Sequence, residues 1–296
     1  MMYEAHEAEN NDNRYTIEFP ESRLILGADQ QRHGIVSLQM QEISGELIRE
    51  PYFGLNVYRL MSSGKLMGVA RYEPFRVTSF ASNRLVLEWE AQDAHPCNMV
   101  ATYEAINESV LDFTLSVEAL QQLESYEVSI SSYFDFSWEP FAVISSWPGK
   151  NDDADMRLIK MEDHPYIKGY YFCLPRDQKA AHIRTDGRWA DAATGQMIAH
   201  HVIGPCYGRP IAIMASQEGY VVQMTDPEHC LAIDVTYASP DTEDDIMKHN
   251  ATYLNLFGEN LQPGDKRSAR IRQVLCKGEV NLSDVLDLYH EFLDSL

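Results

Sequence analysis

Long apolar stretches are absent from this chain of 296 residues. No window contains the roughly 18 consecutive apolar residues that a membrane-spanning helix requires. The beginning of the chain, residues 1–14, includes neither the basic nor the apolar region of a secretory signal. We therefore expect a cytoplasmic protein that has no membrane partner.

Basic residues are scarce. Lys and Arg together number 24 against 45 Asp and Glu, so the formal net charge is −21 at pH 7. Such a charge repels the phosphates of nucleic acids and the surfaces of anionic membranes, and we expect neither to bind. The charge favours a neutral or cationic partner, although solubility alone also explains an acidic surface.

Signatures of covalent and metal chemistry are missing as well. The five cysteines include no CxxC pair, and their odd number and wide spacing favour reduced thiols over a disulfide framework or a zinc site. The chain has no GxSxG motif and no glycine-rich phosphate loop. His200 and His201 are neighbours whose side chains would point to opposite faces of a strand, so they do not form a chelating pair. We expect no metal and no cofactor.

Short apolar or alternating runs dominate what remains, and they predict β-strands separated by turn residues. Their number and regular spacing are typical of antiparallel sandwiches, so the fold class is predicted to be all-β. The predicted strands cover residues 15–19, 23–26, 35–40, 84–90, 99–103, 110–117, 126–130, 211–215, 220–224, 230–235, 252–257 and 269–275.

One segment, residues 281–296, has helical periodicity. Ser283 is in position to cap a helix, and the apolar residues that follow recur at helical spacing, so this short C-terminal helix is predicted to dock on the outside of a sheet. The chain contains no internal repeat, low-complexity tract or linker rich in Pro, Gly and Ser. We therefore predict a single domain over residues 1–296, with a flexible tail at 1–14.

An aromatic and acidic cluster lies in residues 129–147. It contains Tyr133, Asp135, Trp138 and Trp147. Saccharide sites use this mixture, because flat rings stack on the C–H faces of sugars and carboxylates bind the hydroxyl groups. The alternative is that these rings are core or sheet-edge aromatics.

Two pairs of opposite charge flank residues 178–185. Arg176 precedes Asp177, and the motif DGRW places Asp186 close to Arg188 and Trp189. Guanidinium forks bind sugar hydroxyls or a uronate carboxylate, Asp accepts hydroxyl hydrogens, and an indole offers a stacking surface. The alternative is that both pairs are surface ion pairs that bracket a hairpin.

Three passages, taken in order, carry a resemblance to a known family. They are the paired strands 100–103 and 110–117, the strand 230–235 followed by Ser239-Pro-Asp241, and the turn LQPGD at 261–265 that enters the strand 269–275. Their order and spacing resemble the galactose mutarotase-like superfamily, the β-supersandwich shared by aldose 1-epimerases and several other carbohydrate-processing enzymes. The resemblance implies a supersandwich fold of large antiparallel sheets.

The resemblance also implies positions for a catalytic acid and base. In the epimerases, the His of an HPYF strand protonates the ring oxygen while a late Glu accepts the anomeric proton. The corresponding place here reads Ser-Ser-Tyr133-Phe, without the histidine, and the base position holds Asp234, which is one methylene shorter than Glu. Asp135 or His164 is then the candidate acid.

The resemblance and the motifs together predict a protein that binds or transforms a small-molecule saccharide. Asp234 is the candidate base of a sugar isomerase of the mutarotase type, and Glu259 is expected at the rim of the cleft. The alternative is a non-catalytic carbohydrate-sensing or protein-interaction module that kept the fold and lost the acid. The oligomeric state is left open. The candidate substrate-binding residues are Tyr133, Trp147, Arg176, Asp186, Arg188, Trp189 and Glu259.

Overall fold

Strands make up most of the chain in the computed structural model, which describes residues 4–7 (backbone only), 13–29, 32–49, 52–81, 83–135, 137–146, 152–161, 171–190, 201–237 and 250–296. The helices are α1 (Gln178–Arg184) and α2 (Leu282–Asp294). In chain order the strands are β1 (Glu4–Glu7), β2 (Arg14–Glu18), β3 (Ser22–Asp29), β4 (Arg32–Met40), β5 (Asn56–Ser62), β6 (Lys65–Val69), β7 (Arg76–Ala81), β8 (Arg84–Trp89), β9 (Cys97–Ala105), β10 (Val110–Ala119), β11 (Leu123–Phe134), β12 (Glu139–Ser145), β13 (Met156–Lys160), β14 (Tyr171–Pro175), β15 (His201–Ile203), β16 (Tyr207–Ala215), β17 (Gly219–Thr225), β18 (Cys230–Thr236), β19 (Asn250–Leu261) and β20 (Lys266–Lys277).

The strands form three sheets. A four-stranded sheet has the order β1-β2-β3-β4, a nine-stranded sheet the order β13-β12-β16-β17-β20-β10-β9-β8-β7, and a seven-stranded sheet the order β15-β14-β18-β19-β11-β5-β6. Neighbours are antiparallel except β14 and β15, which run parallel. The first strand, β1, lies inside the region 1–14 for which the sequence predicts a flexible tail, and it pairs with residues 15–18 of β2.

The main core lies where apolar side chains of all three sheets meet. Alternation in β9 shows how this arises, because every second residue from Cys97 to Ala105 is buried and the residues between them are partly exposed. Ile130 of β11, Leu254 of β19 and Leu115 of β10 contribute to the same cluster. A second cluster forms on the opposite face of the nine-stranded sheet, under α2.

The all-β fold class and the C-terminal helix are confirmed. Each strand predicted from the sequence overlaps an observed strand, and α2 packs its apolar side chains, Val285, Tyr289 and Phe292 among them, on the nine-stranded sheet as expected. The helix begins two residues earlier than a cap at Ser283 implies, because Asn281 is the N-cap. The Asn281 side chain accepts a hydrogen bond of 3.0 Å from the backbone N–H of Asp284.

A buried histidine joins the four-stranded sheet to the seven-stranded sheet. Nε2 of His33 in β4 accepts a hydrogen bond of 2.8 Å from the backbone N–H of Val57 in β5. The imidazole also lies edge-on against Trp89, with ring centroids 4.9 Å apart. Burial lowers the pKa of His33 to about 3, and the nearby charge of Arg71 acts in the same direction. The ring is therefore neutral at physiological pH.

No helix in the part of the chain that the structure describes combines the length and the apolar character needed to cross a membrane.

Replacing Phe292 with Ala should lower the free energy of unfolding by about 3–5 kcal/mol, because the ring is fully buried between α2 and the nine-stranded sheet. Urea denaturation followed by circular dichroism measures this change. Leu296→Ala is the control, since Leu296 is 58 % exposed and should change stability by less than about 0.5 kcal/mol. Equal effects of the two substitutions would contradict the packing described here.

The stability of the protein should fall as the pH is lowered from about 6.5 towards 3, partly because the unfolded chain binds a proton at His33 that the folded chain excludes. Above the unfolded pKa both states are neutral and the penalty vanishes. His33→Gln keeps an acceptor for the Val57 N–H but cannot be protonated, so its slope should be shallower by at most about 1.4 kcal/mol per pH unit. Urea titrations at several pH values test this, and an unchanged slope in the His33→Gln variant would contradict it.

Candidate functional site

One face of the seven-stranded sheet carries closely spaced polar and aromatic side chains. Alternation along β11 directs Glu127, Ser129, Ser131 and Tyr133 away from the main core, and the strand register sets residues of the neighbouring strands beside them. We call this surface the polar face. Its strand members are Arg59 of β5, Glu127, Ser129, Ser131 and Tyr133 of β11, Tyr171 and Cys173 of β14, His201 of β15, Asp234 of β18, and Tyr253 and Asn255 of β19. The side chains that contact these residues from the same side, namely Tyr52, Tyr58, Arg71, Arg184, Arg188 and Trp189, are counted with the polar face.

A buried ionic network occupies one half of the polar face. Glu127 accepts hydrogen bonds from Arg184 through one oxygen and from Nη1 of Arg188, at 2.7 Å, through the other. Arg184 also donates to Oδ2 of Asp234, and Nη2 of Arg188 lies 2.8 Å from Asp186. The side chains of Glu127, Arg184, Arg188 and Asp234 are fully buried. Three carboxylates therefore surround two guanidinium groups.

Asp234 is held in this network from several sides. Asn255 donates a hydrogen bond of 3.0 Å to the same oxygen that Arg184 contacts, and the His201 ring nitrogen lies 3.8 Å from it. Burial raises the pKa of Asp234, although the Arg184 guanidinium acts in the opposite direction. Burial also raises the pKa of the neighbouring Cys173 thiol well above its usual value, so this cysteine stays protonated.

A short helix and a tight turn bring the two arginines to the sheet. Asp177 caps α1 by accepting a hydrogen bond of 2.8 Å from the N–H of Ala180, and Ile183 packs against Leu231 and other apolar residues of β18. This places Arg184, the last residue of α1, over the polar face. The segment between the two charge pairs is thus a helix and not a hairpin.

The turn after α1 depends on a glycine. Gly187 has φ +98°, a left-handed conformation that other residues adopt only with strain. It allows Oδ1 of Asp186 to accept hydrogen bonds from both the backbone N–H and Nε of Arg188, each 3.0 Å long. Burial opposes the ionisation of Asp186, but these hydrogen bonds outweigh it and lower its pKa.

A row of aromatic rings crosses the other half of the polar face. Successive ring centroids are 4.9 Å apart for Tyr52 and Tyr133, 6.0 Å for Tyr133 and Tyr253, 5.0 Å for Tyr253 and Tyr171, and 5.9 Å for Tyr171 and Trp189. We call these five residues the ring row. Tyr52 and Tyr171 are partly exposed, whereas the other three are buried, so the row reaches solvent at two of its rings.

Two further arginines pack against these rings. The Arg71 guanidinium carbon lies 3.9 Å from the centroid of Tyr58, and its Nη2 donates hydrogen bonds of 3.1 Å to Ser131 and to the Tyr133 hydroxyl. The Arg59 guanidinium carbon lies 4.7 Å from the Tyr58 centroid and 4.8 Å from that of Trp189. Both side chains are more than nine-tenths buried. Trp189 also contacts Arg184, so it joins this half of the face to the ionic network.

The structure brings five of the residues predicted from the sequence together on this side of the sheet. Tyr133 and Trp189 belong to the ring row, and Asp186, Arg188 and Asp234 belong to the ionic network.

The other described candidates lie elsewhere. Oδ1 of Asp135 accepts hydrogen bonds from the backbone N–H and the hydroxyl of Ser137 in the turn after β11. Glu259 is close to the far end of β19 and pairs with Nε of Arg267 at 2.9 Å. Arg176 follows β14 at the end opposite Tyr171 and pairs with Asp177. Trp147 and His164 lie outside the described residues.

Arg176 lines a separate cavity of about 810 Å³ between α1, α2 and the start of β16. Its walls are mostly apolar. The charged side chains on it are paired, because Arg209 and His290 both contact Asp153, at 2.7 and 2.8 Å, and Arg176 contacts Asp177. This cavity therefore offers a ligand less uncompensated charge than the polar face does.

Several residues of the polar face were missed in the sequence analysis. Glu127 carried a usable signal, because it alternates with Ser129 and Ser131 on one side of a strand whose other side is apolar. No comparable sequence signal points to the three arginines at positions 59, 71 and 184, because each lies in a stretch of unremarkable composition. Among the described residues, no group of three or more His, Cys, Asp or Glu side chains is arranged to hold a metal ion.

Comparison with known proteins shows a similarity of fold. No family model and no curated protein matches the sequence. Among solved structures, a galactose mutarotase related enzyme from Lactobacillus acidophilus matches 90 % of this chain and 100 % of its own, with 11 % identity and a TM-score of 0.55. Galactose 1-epimerase from Lactobacillus acidophilus NCFM matches 94 % of this chain and 99 % of its own, with 11 % identity and a TM-score of 0.53. The galactose mutarotase-like fold expected from the sequence is confirmed.

Replacing Glu127 with Gln should lower the free energy of unfolding by about 3–5 kcal/mol, because it removes the carboxylate shared by two buried guanidinium groups. Urea denaturation measures the change. Glu259→Gln is the matched control, since its partly exposed pair with Arg267 contributes at most about 1 kcal/mol. A loss of less than about 1 kcal/mol for Glu127→Gln would show that the network does not support the fold.

Proposed function

We propose that this protein binds a saccharide on the polar face, with the ring row as the stacking surface. The observation that carries the proposal is the row itself: a line of tyrosine rings that ends on Trp189, reaches solvent at Tyr52 and Tyr171, and is flanked by guanidinium groups. Sugars present alternating C–H faces and hydroxyl edges. Rings bind the faces, and charged or amide side chains bind the edges.

The half-buried residues mark where the ligand would enter. Tyr52, Tyr58 and Tyr171 are partly exposed, whereas Tyr133 and Tyr253 lie deeper. The Tyr253 hydroxyl donates a hydrogen bond of 3.2 Å to that of Tyr171. A ligand that stacks on Tyr171 would therefore have a chain of hydroxyl groups within reach. The solved structures of similar fold, a mutarotase related enzyme and a galactose 1-epimerase, make a sugar the first ligand to test.

In this proposal, Asp186, Arg188 and Asp234 hold the site together. Asp234 is bound by Arg184 and Asn255 and has no exposed surface, so its role is that of a counter-ion. A general base must reach the proton that it removes. This favours the alternative already left open by the sequence, a carbohydrate-binding module that lacks turnover.

A sugar isomerase of the mutarotase type is the second candidate. It is favoured by the pairing of Asp234, whose pKa burial raises, with the imidazole of His201 at 3.8 Å. Two titratable groups in contact are a common arrangement for proton transfer. In this case Arg184 would have to release Asp234 when the sugar binds.

Tyr171→Ala should weaken saccharide binding about tenfold by removing one stacking ring. The ligand is first selected by ligand-observed NMR from glucose, galactose, glucuronate and galacturonate, and affinities are then measured by isothermal titration calorimetry. Tyr220→Ala is the control, because Tyr220 is a buried tyrosine of the nine-stranded sheet and its loss should lower stability without affecting affinity. Equal affinities of the Tyr171→Ala variant and the unmodified protein would remove the ring row from the site.

The protein should not accelerate the interconversion of α- and β-anomers of glucose or galactose beyond the rate in buffer, because Asp234 is already engaged by Arg184. Polarimetry on freshly dissolved α-anomers measures this rate. An acceleration that disappears in a folded Asp234→Asn variant would favour the isomerase instead. An Asp135→Asn variant serves as the matched control, since Asp135 lies in the turn after β11.

A further inference from the structure

Two arginines of the polar face have no carboxylate partner among the described residues. Arg59 donates one hydrogen bond, of 2.9 Å, to the Tyr58 hydroxyl, and Arg71 donates to Ser131 and Tyr133. Arg184 and Arg188 lie on the same face and are equally buried, yet each contacts two carboxylates. The two pairs of arginines therefore differ in whether a carboxylate contacts them, and not in how deeply they are buried.

An uncompensated buried guanidinium is unfavourable. Its pKa is too high for the group to lose a proton in a protein, and removing a charge from water is costly unless it is paired. The rings of Tyr58 and Trp189 offset part of this cost through cation–π contacts. The faces of aromatic rings supply no hydrogen-bond acceptors in the plane of the guanidinium, so some of the N–H groups stay unsatisfied.

Unsatisfied donors are concentrated at this point. Nε and Nη1 of Arg59, Nε of Arg71 and Nε1 of Trp189 are buried and make no hydrogen bond. The hydroxyl of Ser129, whose residue pairs with Arg59 across β5 and β11, is also without a partner. Buried polar atoms are almost always satisfied. The unpaired acceptors of the face, Oδ1 of Asp234 and Oδ1 of Asn255, belong to residues of the ionic network. Around Arg59 and Arg71 the unpaired atoms are donors except for the Ser129 hydroxyl, which can also accept, and this excess of donors indicates that a ligand with several acceptor oxygens belongs there.

We propose that the saccharide bound on the polar face is anionic and that Arg59 and Arg71 bind its oxyanion, with a carboxylate such as that of a hexuronate as the first choice. This inference rests on the proposed saccharide site and specifies its ligand. A carboxylate provides two oxygens that match the planar fork of a guanidinium. The sugar ring would then extend over Tyr171 towards solvent, and the carboxylates of the ionic network would orient the anion away from themselves.

The proposal differs from what the net charge of −21 suggests, namely a neutral or cationic partner. Exposed charges are screened within about 8–10 Å at physiological ionic strength. Buried arginines at short range are screened much less, so they govern the sign of the ligand even on an acidic protein. The high negative charge would instead slow the association of an anionic ligand, and added salt should speed it.

Calorimetric titration of matched sugars tests the inference. Glucuronate and galacturonate differ from glucose and galactose at C6, and each acid should bind at least about tenfold tighter than its neutral counterpart, because a charge-assisted pair of hydrogen bonds is gained. Glucose 6-phosphate is the third arm. Tighter binding of this phosphate than of the uronates would support the oxyanion site and identify a phosphate ester as its source.

Three outcomes would overturn the inference, and they are distinguishable. Equal affinity for acidic and neutral sugars would leave the proposed saccharide site intact, but it would show that Arg59 and Arg71 do not bind an oxyanion of the sugar. If acetate or inorganic phosphate bound as tightly as the acidic sugars, the arginines would form an oxyanion site that does not recognise a sugar. No binding of any sugar would overturn both this inference and the proposed function.

Two substitutions assign the effect to its residues. Arg59→Gln and Arg71→Gln keep hydrogen-bonding groups but remove the charge, so each should reduce the preference for acidic over neutral sugars about tenfold while changing the neutral affinity little. Arg267→Gln is the control, because this arginine pairs with Glu259 close to the far end of β19 and should leave the preference unchanged. Retention of the full preference in both variants would overturn the assignment.

A measurement without ligand gives a second check. In the ligand-free protein, Arg59→Met should leave the melting temperature unchanged or raise it, because it removes an uncompensated buried charge and keeps an apolar stem. Arg184→Met should lower it, because it leaves Glu127 and Asp234 without that partner. An equal fall in the two variants would show that Arg59 is already compensated and would overturn the inference.

Discussion

The shared hydrogen bonding of Glu127 is the interaction on which the polar face depends. One carboxylate accepts from Arg184 at the end of α1 and from Arg188 in the turn that follows, so it ties both elements to the centre of the seven-stranded sheet. Because all three side chains are fully buried, each charge needs the others. Through Arg184 the constraint extends to Asp234, and through Arg188 it fixes the adjacent Trp189 at the end of the ring row.

The polar face has two halves of different electrostatic character. On one side, the carboxylates of Glu127, Asp234 and Asp186 exceed the two guanidinium groups that they bind. On the other side, Arg59 and Arg71 are stacked on aromatic rings with no carboxylate in contact among the described residues. Trp189 lies between them and contacts Arg59 on one side and Arg184 on the other. A ligand placed here would meet a gradient of charge, and such a gradient orients a polar molecule.

The galactose mutarotase-like fold is compatible with more than one chemistry, because function depends on the site and not on the sheets that carry it. In this protein Ser131 stands at the position where the resemblance implies a catalytic histidine, and its hydroxyl accepts a hydrogen bond from Arg71. Asp234, at the position where the resemblance implies the base, is bound by Arg184 and Asn255. In the proposed binding module, Ser131 and Asp234 would hold other side chains in position rather than move protons.

Most of the strands and the C-terminal helix were readable in advance, because alternation and helical spacing are local properties of neighbouring residues. Asp234 and the DGRW motif were singled out for their residue types alone. Their partners were not, since Arg184 contacts Glu127 across 57 positions and Asp234 across 50. Local sequence patterns identified twelve of the twenty strands that the structure describes, but not β1, β5–β7 or β12–β15, and they did not identify α1. Whether a given charge is buried, paired or left without a partner depends on how distant strands pack together, and that is settled only when the chain has folded.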